Sequence, residues 1–343
     1  MIESPRSFSK ITPDWLSQVF GGVIDSFQLE YLEDGIGFMS EVARIHLRSN
    51  DENIPESAVM KMPSSKPQRL EMAKSFDSYN REAYFYSYIA PSVPISTPKV
   101  YFNGGAGSNF VLVLQDLAHL RRVNQIEGSE RLDTLEVMRT LGRLHRKFWG
   151  QKLEAMHGYK DDIAYVAHDY PKVLPGSLEI LQLRSSVKHW LETFVRNYES
   201  VMRAHLKNPC SLIHCDYKLD NLAFSANGVV VYDWGDVGVG PVGYDVAHFL
   251  VGSLTSSERQ SNEREFVEEY RIELDLAEYT LQQAWNDYLR FIPATFYVAA
   301  VLVSLKEKSN RHSQLAITNL KRVARALEDH FVAIRELYSD LPS

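Results

Sequence analysis

Cysteine is scarce in this sequence: its 343 residues contain only two, Cys210 and Cys215. No cluster of cysteine and histidine with metal-binding spacing surrounds them, which argues against both a disulfide scaffold and a structural zinc site. Basic runs are missing as well, and the formal net charge is -7. A mildly acidic chain repels phosphate backbones, so nucleic acid is not an expected partner.

The sequence also has little that predicts targeting or membrane insertion. Its first residues, MIESPRSFSKITPDWL, carry mixed charges and no apolar core, so they do not predict a signal peptide. The longest apolar stretch, Phe291 to Leu305, contains Pro293 and is shorter than a bilayer span, so we expect a buried helix there. These absences predict a cytoplasmic protein with no membrane partner, and nothing in the sequence indicates an oligomeric state.

Hydrophobic periodicity divides the chain into two parts. The first third alternates apolar and polar residues and predicts two hairpins and a further strand, with one helix over EMAKSFDSYNREAYFYSYI. After Leu117 the spacing becomes helical, apart from a strand in GVVVYDWGD. We therefore predict an α+β fold with a β-rich N-terminal lobe over 1–117, a hinge over 118–130 and a mainly helical C-terminal lobe over 131–343.

The segment LIHCDYKLDNLAF places His214, Asp216, Lys218 and Asn221 in one short loop. An aspartate in such an H-x-D-x-x-x-x-N loop can accept the proton of a hydroxyl, and the asparagine can ligate magnesium. About a dozen residues later Asp233 ends a strand before Trp-Gly, which has the form of the metal-binding D-F-G element. The loop alone is a weak signal, whereas the two motifs in this order strongly indicate phosphoryl transfer.

Two charged residues of the N-terminal third complete this pattern. Lys61, in the strand AVMKM, stands where a lysine would bind the α- and β-phosphates of a nucleotide. Glu82, in the helix that follows, is placed to pair with that lysine, although Glu71 on the same predicted helix could compete.

Two further segments are candidates for nucleotide contacts. GIGFMS, with Gly35, Gly37 and Ser40, predicts a loop over the phosphates, because glycines let backbone N–H groups approach an anion. It lacks a third glycine and carries little weight alone. VLVLQDL fits a hinge strand in which Gln115 to Leu117 offer backbone groups to adenine.

With these motifs, the chain resembles the aminoglycoside-phosphotransferase and choline-kinase superfamily of small-molecule kinases, and within it the ecdysteroid-kinase-like branch. The segments ITPDWLSQVF, LGRLHRKFW and GPVGYDVAHFL extend the resemblance over nearly the whole chain. It implies a bilobal protein-kinase-like fold, ATP and Mg²⁺ as cofactors, and a hydroxylated small molecule as substrate. The resemblance assigns nucleotide binding to Lys61 and Glu82, catalysis to Asp216, and metal binding to Asn221 and Asp233.

The same resemblance indicates supporting roles. Asp245 matches an acid that braces the catalytic loop, and we expect His214 to pack beneath that loop. Members of the family usually have H-G-D at this loop, and this chain has Cys215 in the middle position. We expect Cys215 to be a small buried side chain. Lys218 follows the aspartate as in protein kinases, where this lysine contacts the transferred phosphate. Asp236 has two alternative roles, as a second acid near the metal or as a turn residue.

Three functions are compatible with these motifs. A protein kinase is disfavoured, because only about a dozen residues separate Asp233 from Asp245, too few for an activation segment, and no A-P-E motif follows. A nucleotide-binding pseudokinase with a regulatory role is the second hypothesis, and the filled catalytic positions count against it. The leading hypothesis is a small-molecule kinase whose acceptor is an antibiotic, a sugar, an amino alcohol or a steroid-like alcohol. The aromatic residues of the C-terminal part favour a bulky, partly apolar alcohol.

Overall fold

The computed structural model describes residues 2–32, 39–151, 153, 158–305 and 309–341. Contacts divide the chain into two compact units. The first comprises Met1–Arg121, Ala223–Ser225 and Val230–Asp236, and the second comprises the remaining segments, Arg122–Leu222, Ala226–Val229 and Val237–Ser343. The domain limits given above, 1–117, 118–130 and 131–343, stay a prediction beside this division.

The first unit is built on a five-stranded antiparallel sheet with the strand order β1-β2-β3-β5-β4. Its strands are β1 (Ser26–Tyr31), β2 (Ser40–Arg48), β3 (Ser57–Pro63), β4 (Val100–Gly104) and β5 (Val111–Gln115). Both predicted hairpins and the predicted strand over SAVMKMP are confirmed. Lys61 lies on the central strand β3, in register with Val42 on one side and Leu112 on the other.

One face of this sheet carries the core of the first unit. In β2 the side chains of Ala43, Ile45 and Leu47 are buried, while His46 between them is exposed, which is the alternation of a half-buried strand. The helix α1 (Pro13–Phe20) adds Leu16 to the same core. The core consists of Phe8, Ile11, Leu16, Ile24, Ala43, Ile45, Leu47, Ala58, Met60, Met62, Val111 and Val113.

The prediction of a single helix after β3 is wrong. The structure has two helices, α2 (Pro67–Ser75) and α3 (Ser78–Tyr84), followed by one π-helical turn. The break lies at Asp77, whose φ of 53° is left-handed, a conformation that aspartate tolerates better than most residues. The guanidinium group of Arg81 donates to the carbonyl oxygen of Phe76 at 3.1 Å, which satisfies a backbone group at the break.

The second unit is mainly helical, and the predicted α+β fold class is therefore confirmed. Its helices are α4 (Arg131–Phe148), α5 (Tyr159–Ile180), α6 (Ser185–Arg196), α7 (Tyr198–His205), α8 (Gly243–Ser253), α9 (Ser256–Leu274), α10 (Leu281–Ser304), α11 (Asn310–Asp329) and α12 (Phe331–Leu337). Two short antiparallel strands, β6 (Cys210–Ile213) and β9 (Gly238–Pro241), also belong to it. A separate two-stranded sheet consists of β7 (Leu222–Ser225) and β8 (Gly228–Val231).

Helix α10 contains the longest apolar stretch of the chain and continues through Pro293. Within the described ranges it is the one helix that is long and apolar enough to span a membrane by length and composition. Of its most apolar window, 67% is buried inside the protein, as in a core helix. The hydroxyl of Tyr170 on α5 donates to the carbonyl oxygen of Pro293 at 2.9 Å. The predicted buried helix is confirmed.

Candidate functional site

Three charged residues of the first unit form what we call the Lys61 cluster: Lys61 from β3, Glu82 from α3 and Asp233 from the turn after β8. The Nζ atom of Lys61 donates to Oε1 of Glu82 at 2.7 Å and to Oδ1 of Asp233 at 2.6 Å. Lys61 is 6% exposed and Glu82 is 2% exposed. The contact between Lys61 and Glu82 is the one that the sequence indicated, and Glu71 takes no part in it.

Burial and mutual attraction act against each other in the Lys61 cluster. Burial lowers the pKa of Lys61, but the carboxylates of Asp233 and Glu82 raise it by more, so the pKa of the lysine lies above its ordinary value. Burial raises the pKa of Glu82, and the charge of Asp233 adds to that rise against the opposing effect of Lys61. The ammonium group therefore stays charged inside the unit.

The position of Asp233 is fixed by its neighbour in the chain. Trp234 is fully buried and stacks on Phe85, with ring centroids 3.9 Å apart and planes at 11°. Its indole Nε1 donates to the carbonyl oxygen of Val231 at 3.1 Å, and its backbone N–H bonds Glu82. Asp233 itself has a left-handed φ of 64°, a strained conformation of the kind that clusters at functional sites.

The second unit holds the other group, which we call the Asp216 loop: residues 214–221 together with the side chains that contact them. Oδ2 of Asp216 accepts from Nζ of Lys218 at 2.7 Å and from Nδ2 of Asn221 at 2.9 Å. Oδ1 lies 3.2 Å from Nε2 of His248. Burial raises the pKa of Asp216, but the charge of Lys218 and the bond to His248 lower it by more, leaving it below its usual range. The carboxylate is therefore ionised.

Asp245, at the start of α8, holds the main chain of this loop. Its Oδ2 accepts from the backbone N–H of His214 at 2.6 Å, and its Oδ1 accepts from the backbone N–H of Cys215 at 2.9 Å. The carboxylate is completely buried, and Nε2 of His145 lies 3.4 Å from Oδ2. The other nitrogen of His145 lies 2.8 Å from the hydroxyl of Tyr270. A carboxylate with this many partners has a fixed orientation.

Cys215 occupies a backbone conformation that usually requires glycine. Its φ is 65°, in the left-handed region, which explains physically why H-G-D is the usual spelling at this point. The ring of His214 is fully buried beneath the loop, and its Nδ1 accepts from the backbone N–H of Asp216 at 3.3 Å.

Among the predicted phosphate-loop residues, only Ser40 is described. Gly35 and Gly37 lie outside the described residues. Ser40 begins β2, is 9% exposed, and pairs in register with Pro63.

Two backbone groups of the predicted hinge strand are already bonded within the protein. The backbone N–H of Gln115 donates to the carbonyl oxygen of Lys99 at 2.8 Å, and the carbonyl oxygen of Leu117 accepts from the N–H of Leu120 at 3.0 Å. The contact of Gln115 to Leu117 with adenine stays a prediction. A small apolar cluster surrounds Leu117, consisting of Leu117, Ala223 and Val230 with Leu120 and Tyr232 packed against them.

The predicted metal ligands offer oxygen atoms. The amide nitrogen of Asn221 donates to the Asp216 main-chain and side-chain oxygens at 2.8 and 2.9 Å, which leaves the amide oxygen as its ligand atom. The side chain of Asp233 is 30% exposed. No group of three or more His, Cys, Asp or Glu side chains suited to a metal occurs in the described part of the chain. Magnesium is usually bound by few protein oxygens, and substrate phosphates complete its ligands. The side-chain oxygens of Asn221 and Asp233 are ligands of this kind, so these residues fit that ion.

Sequence reasoning missed two histidines of the second unit, His145 and His248. His248 contacts Asp216, and His145 contacts Asp245, which holds the main chain of the Asp216 loop. A signal for His248 was present: it follows Asp245 by three residues on one helix, so both side chains face the same way. His145 carries no comparable signal, because its contact joins residues far apart in sequence.

Comparisons with known proteins show the family of the chain. The family model described as "Phosphotransferase enzyme family" matches residues 59–292. No curated protein matches the chain in sequence.

Solved structures show the same fold. The chain is similar to a choline kinase from Cryptosporidium parvum Iowa II, with 9% identity, a TM-score of 0.61, and 92% of this chain and 93% of that chain covered. It is similar to APH(2")-IIIa in a complex with GDP and kanamycin, with 14% identity, a TM-score of 0.54, and 95% and 97% covered. A microcompartment-associated aminopropanol kinase has 16% identity, a TM-score of 0.55, and 94% and 97% covered.

Proposed function

The chain belongs to the phosphotransferase enzyme family, and on that premise we propose that it transfers the γ-phosphoryl group of ATP to a hydroxyl group of a small molecule. The observation that carries the proposal is the Asp216 carboxylate. It is held ionised by Lys218, and the loop that bears it is fixed through its main chain by the buried Asp245. A positioned, ionised carboxylate is what alignment of an acceptor hydroxyl requires.

Asp216 acts on the acceptor. Its carboxylate accepts a hydrogen bond from the acceptor hydroxyl and then the proton, as the hydroxyl oxygen bonds to the γ-phosphorus and ADP leaves. Because its pKa lies below the usual range, the proton passes late, when the oxygen has lost most of its electron density to phosphorus. Lys218 stabilises the charge of the transferred group, since its ammonium already lies beside Asp216.

The nucleotide is bound by the Lys61 cluster. The Lys61 ammonium, oriented by Glu82, contacts the α- and β-phosphates. Asp233 and Asn221 would hold Mg²⁺, and that ion would neutralise charge on the phosphate oxygens.

The remaining predicted nucleotide contacts are Gly35, Gly37, Ser40, Gln115 and Leu117. The glycines and Ser40 approach the phosphates, and the two hinge residues approach adenine. A cytoplasmic location and the absence of nucleic-acid and membrane partners are proposed on the cysteine content and the charge alone.

The acceptor is proposed to be a bulky, partly apolar alcohol, and the chain a member of the ecdysteroid-kinase-like branch. The sequence resemblance in ITPDWLSQVF, LGRLHRKFW and GPVGYDVAHFL supports this branch. The aromatic content of the C-terminal part supports the acceptor class, and Tyr159, Tyr244 and Phe291 form a buried aromatic cluster there.

The test is acceptor-dependent release of ADP from MgATP. A panel of amino alcohols, aminoglycosides, sugars and sterol-type alcohols is screened with the wild-type chain and with Asp216→Asn. The variant keeps the shape of the side chain but cannot take the proton, so its turnover is expected to fall by about 10²- to 10⁴-fold while ATP still binds.

Asp220→Asn is the matched control. Asp220 lies in the same loop, but its carboxylate pairs with Arg311 at 2.8 Å, so this variant should keep wild-type turnover. Equal turnover of wild type and Asp216→Asn contradicts the assigned base. ATP binding without ADP release for every acceptor contradicts the enzyme and favours the pseudokinase.

A further inference from the structure

His248 is a buried polar residue whose side chain has one hydrogen-bond partner among the residues that the structure describes. It lies on α8, whose side chains are mostly apolar and buried, and it is 7% exposed. Its Nε2 lies 3.2 Å from Oδ1 of Asp216. Its Nδ1 is buried and has no hydrogen-bond partner in the described part of the chain. Burying an imidazole with half of its polar groups unpaired costs free energy, so a purely structural role would be better served by an apolar residue.

His145 shows what a structural histidine looks like in the same unit. Both of its nitrogens have partners, the hydroxyl of Tyr270 at 2.8 Å and Asp245 at 3.4 Å. His248 instead directs its single polar contact at the proposed catalytic base.

The ring of His248 is held in place by stacking. Tyr244, one turn earlier on α8, lies parallel to it, with ring centroids 5.9 Å apart and planes at 22°. A carboxylate oxygen accepts, so the 3.2 Å contact has Nε2 as its donor and places an imidazole proton on that nitrogen.

The hydrogen bonds of Asp216 differ between its two oxygens. Each carboxylate oxygen has two lone-pair sites. Among the described residues, Oδ2 accepts from both Lys218 and Asn221, so its two sites are filled. Within the described ranges, Oδ1 accepts from His248 alone, so one site remains.

We propose that His248 is a positioning residue that fixes the Asp216 carboxylate, and that Oδ1 is the atom that receives the acceptor's proton. This inference rests on the proposed phosphotransfer. The acceptor O–H bond breaks, its proton goes to the remaining lone pair of Oδ1, and the electron pair left on oxygen forms the new bond to phosphorus as ADP departs. Without the Nε2–H contact, the carboxylate can rotate and the open site is no longer aimed at the hydroxyl.

Three variants separate this role from packing. His248→Phe removes both nitrogens, and turnover is expected to fall by about 10- to 100-fold with the KM for ATP unchanged. His248→Gln should recover part of the rate, because the glutamine amide can place an N–H near the position of Nε2. His248→Asn places its amide near the position of Nδ1 and should recover nothing.

Stability gives the second readout. His248→Phe removes the buried, unpartnered Nδ1 but also the Nε2 contact with Asp216, and these two effects on stability oppose each other, so its unfolding midpoint should change little. Equal rates for the Gln and Phe variants overturn the proposal, and so does a set of rate losses that follows the loss of stability across all three variants.

Histidine NMR of the ¹⁵N-labelled chain tests the contact without any turnover. The signal of His248, assigned by its loss in His248→Gln, should report the proton on Nε2. It should shift in Asp216→Asn and stay unchanged in Asp220→Asn. A proton on Nδ1 overturns the proposal. If no acceptor yields ADP while the Nε2–H signal responds to Asp216→Asn, the phosphotransferase proposal fails and the contact between His248 and Asp216 stands.

Discussion

Cys215 tests the physical reading of the catalytic loop most directly, because its backbone and its side chain can be perturbed separately. Its φ of 65° suits glycine, and its backbone N–H donates to Asp245 at 2.9 Å. Cys215→Gly removes the Cβ atom, whereas Cys215→Ala keeps it. Both variants lose the thiol and retain the N–H, so the difference between them isolates the cost of a Cβ atom in this conformation.

The size of that difference follows from two opposing effects. A residue with a Cβ atom in the left-handed region pays about 1–2 kcal/mol. Glycine loses more conformational entropy on folding and pays roughly 0.5–1 kcal/mol relative to alanine. The glycine variant at position 215 is therefore expected to be more stable than the alanine variant by about 0.5–1 kcal/mol.

Equilibrium unfolding in urea measures this difference, provided that the two variants share the same m value. Cys210 supplies the control, because it lies in strand β6 and is not among the residues with positive φ. At that position Cys210→Ala should be more stable than Cys210→Gly by about 0.5–1 kcal/mol, because only the entropy effect acts. The same sign at both cysteines would refute the reasoning, since the left-handed backbone would then impose no cost.

Two further substitutions address the first unit. Glu82→Gln weakens a buried charge-assisted bond to Lys61, so the unfolding free energy should fall by about 1.5–3 kcal/mol and ATP should bind more weakly by calorimetry; unchanged affinity would contradict the role of Lys61. Asp116→Asn loses the charge that accepts from Arg44 at 2.6 Å and Ser57 at 2.7 Å, and urea unfolding should show a loss of about 1–3 kcal/mol at pH 7. Burial raises the pKa of Asp116, but these bonds and a backbone N–H lower it by more, so the stabilisation is complete above the unfolded pKa of about 4 and is lost as the pH falls through the lower folded pKa. A difference between wild type and Asp116→Asn that stays constant down to pH 3 would contradict this.

The sequence could predict the features that depend on local pattern. Alternation in β2 and β3 predicted the sheet and its buried face, because every second side chain of a strand lies on the same face of the sheet. The contact between Lys61 and Glu82, 21 positions apart, was predictable from the order of strand and helix. Asp216 and Asn221 were predicted to act together from the spacing of their loop, and the structure places their side chains 2.9 Å apart.

Other features could not be predicted, because local signals competed with tertiary packing. Asp77 is an ordinary residue within a helical pattern, yet its left-handed φ breaks the predicted helix in two. Helix α5 contains Pro171 and Pro175, which argue against a helix on local grounds, and it forms nevertheless. The contact between His248 and Asp216 joins residues that are 32 positions apart. It depends on the position of α8, which follows β9 in the chain.

Helix α8 restrains the Asp216 loop from outside, in addition to the hydrogen bonds within the loop. Asp245 and His248 are three residues apart, so one face of α8 holds both the main chain of the loop and the carboxylate of Asp216. The helix is almost entirely buried and packs against α10 and α11. A side chain on such a helix has little freedom to move, because displacing it would disturb a close-packed core. The geometry of the proposed base is therefore set by the core of the second unit, and a core substitution that shifts α8 should reduce turnover even though it touches neither substrate.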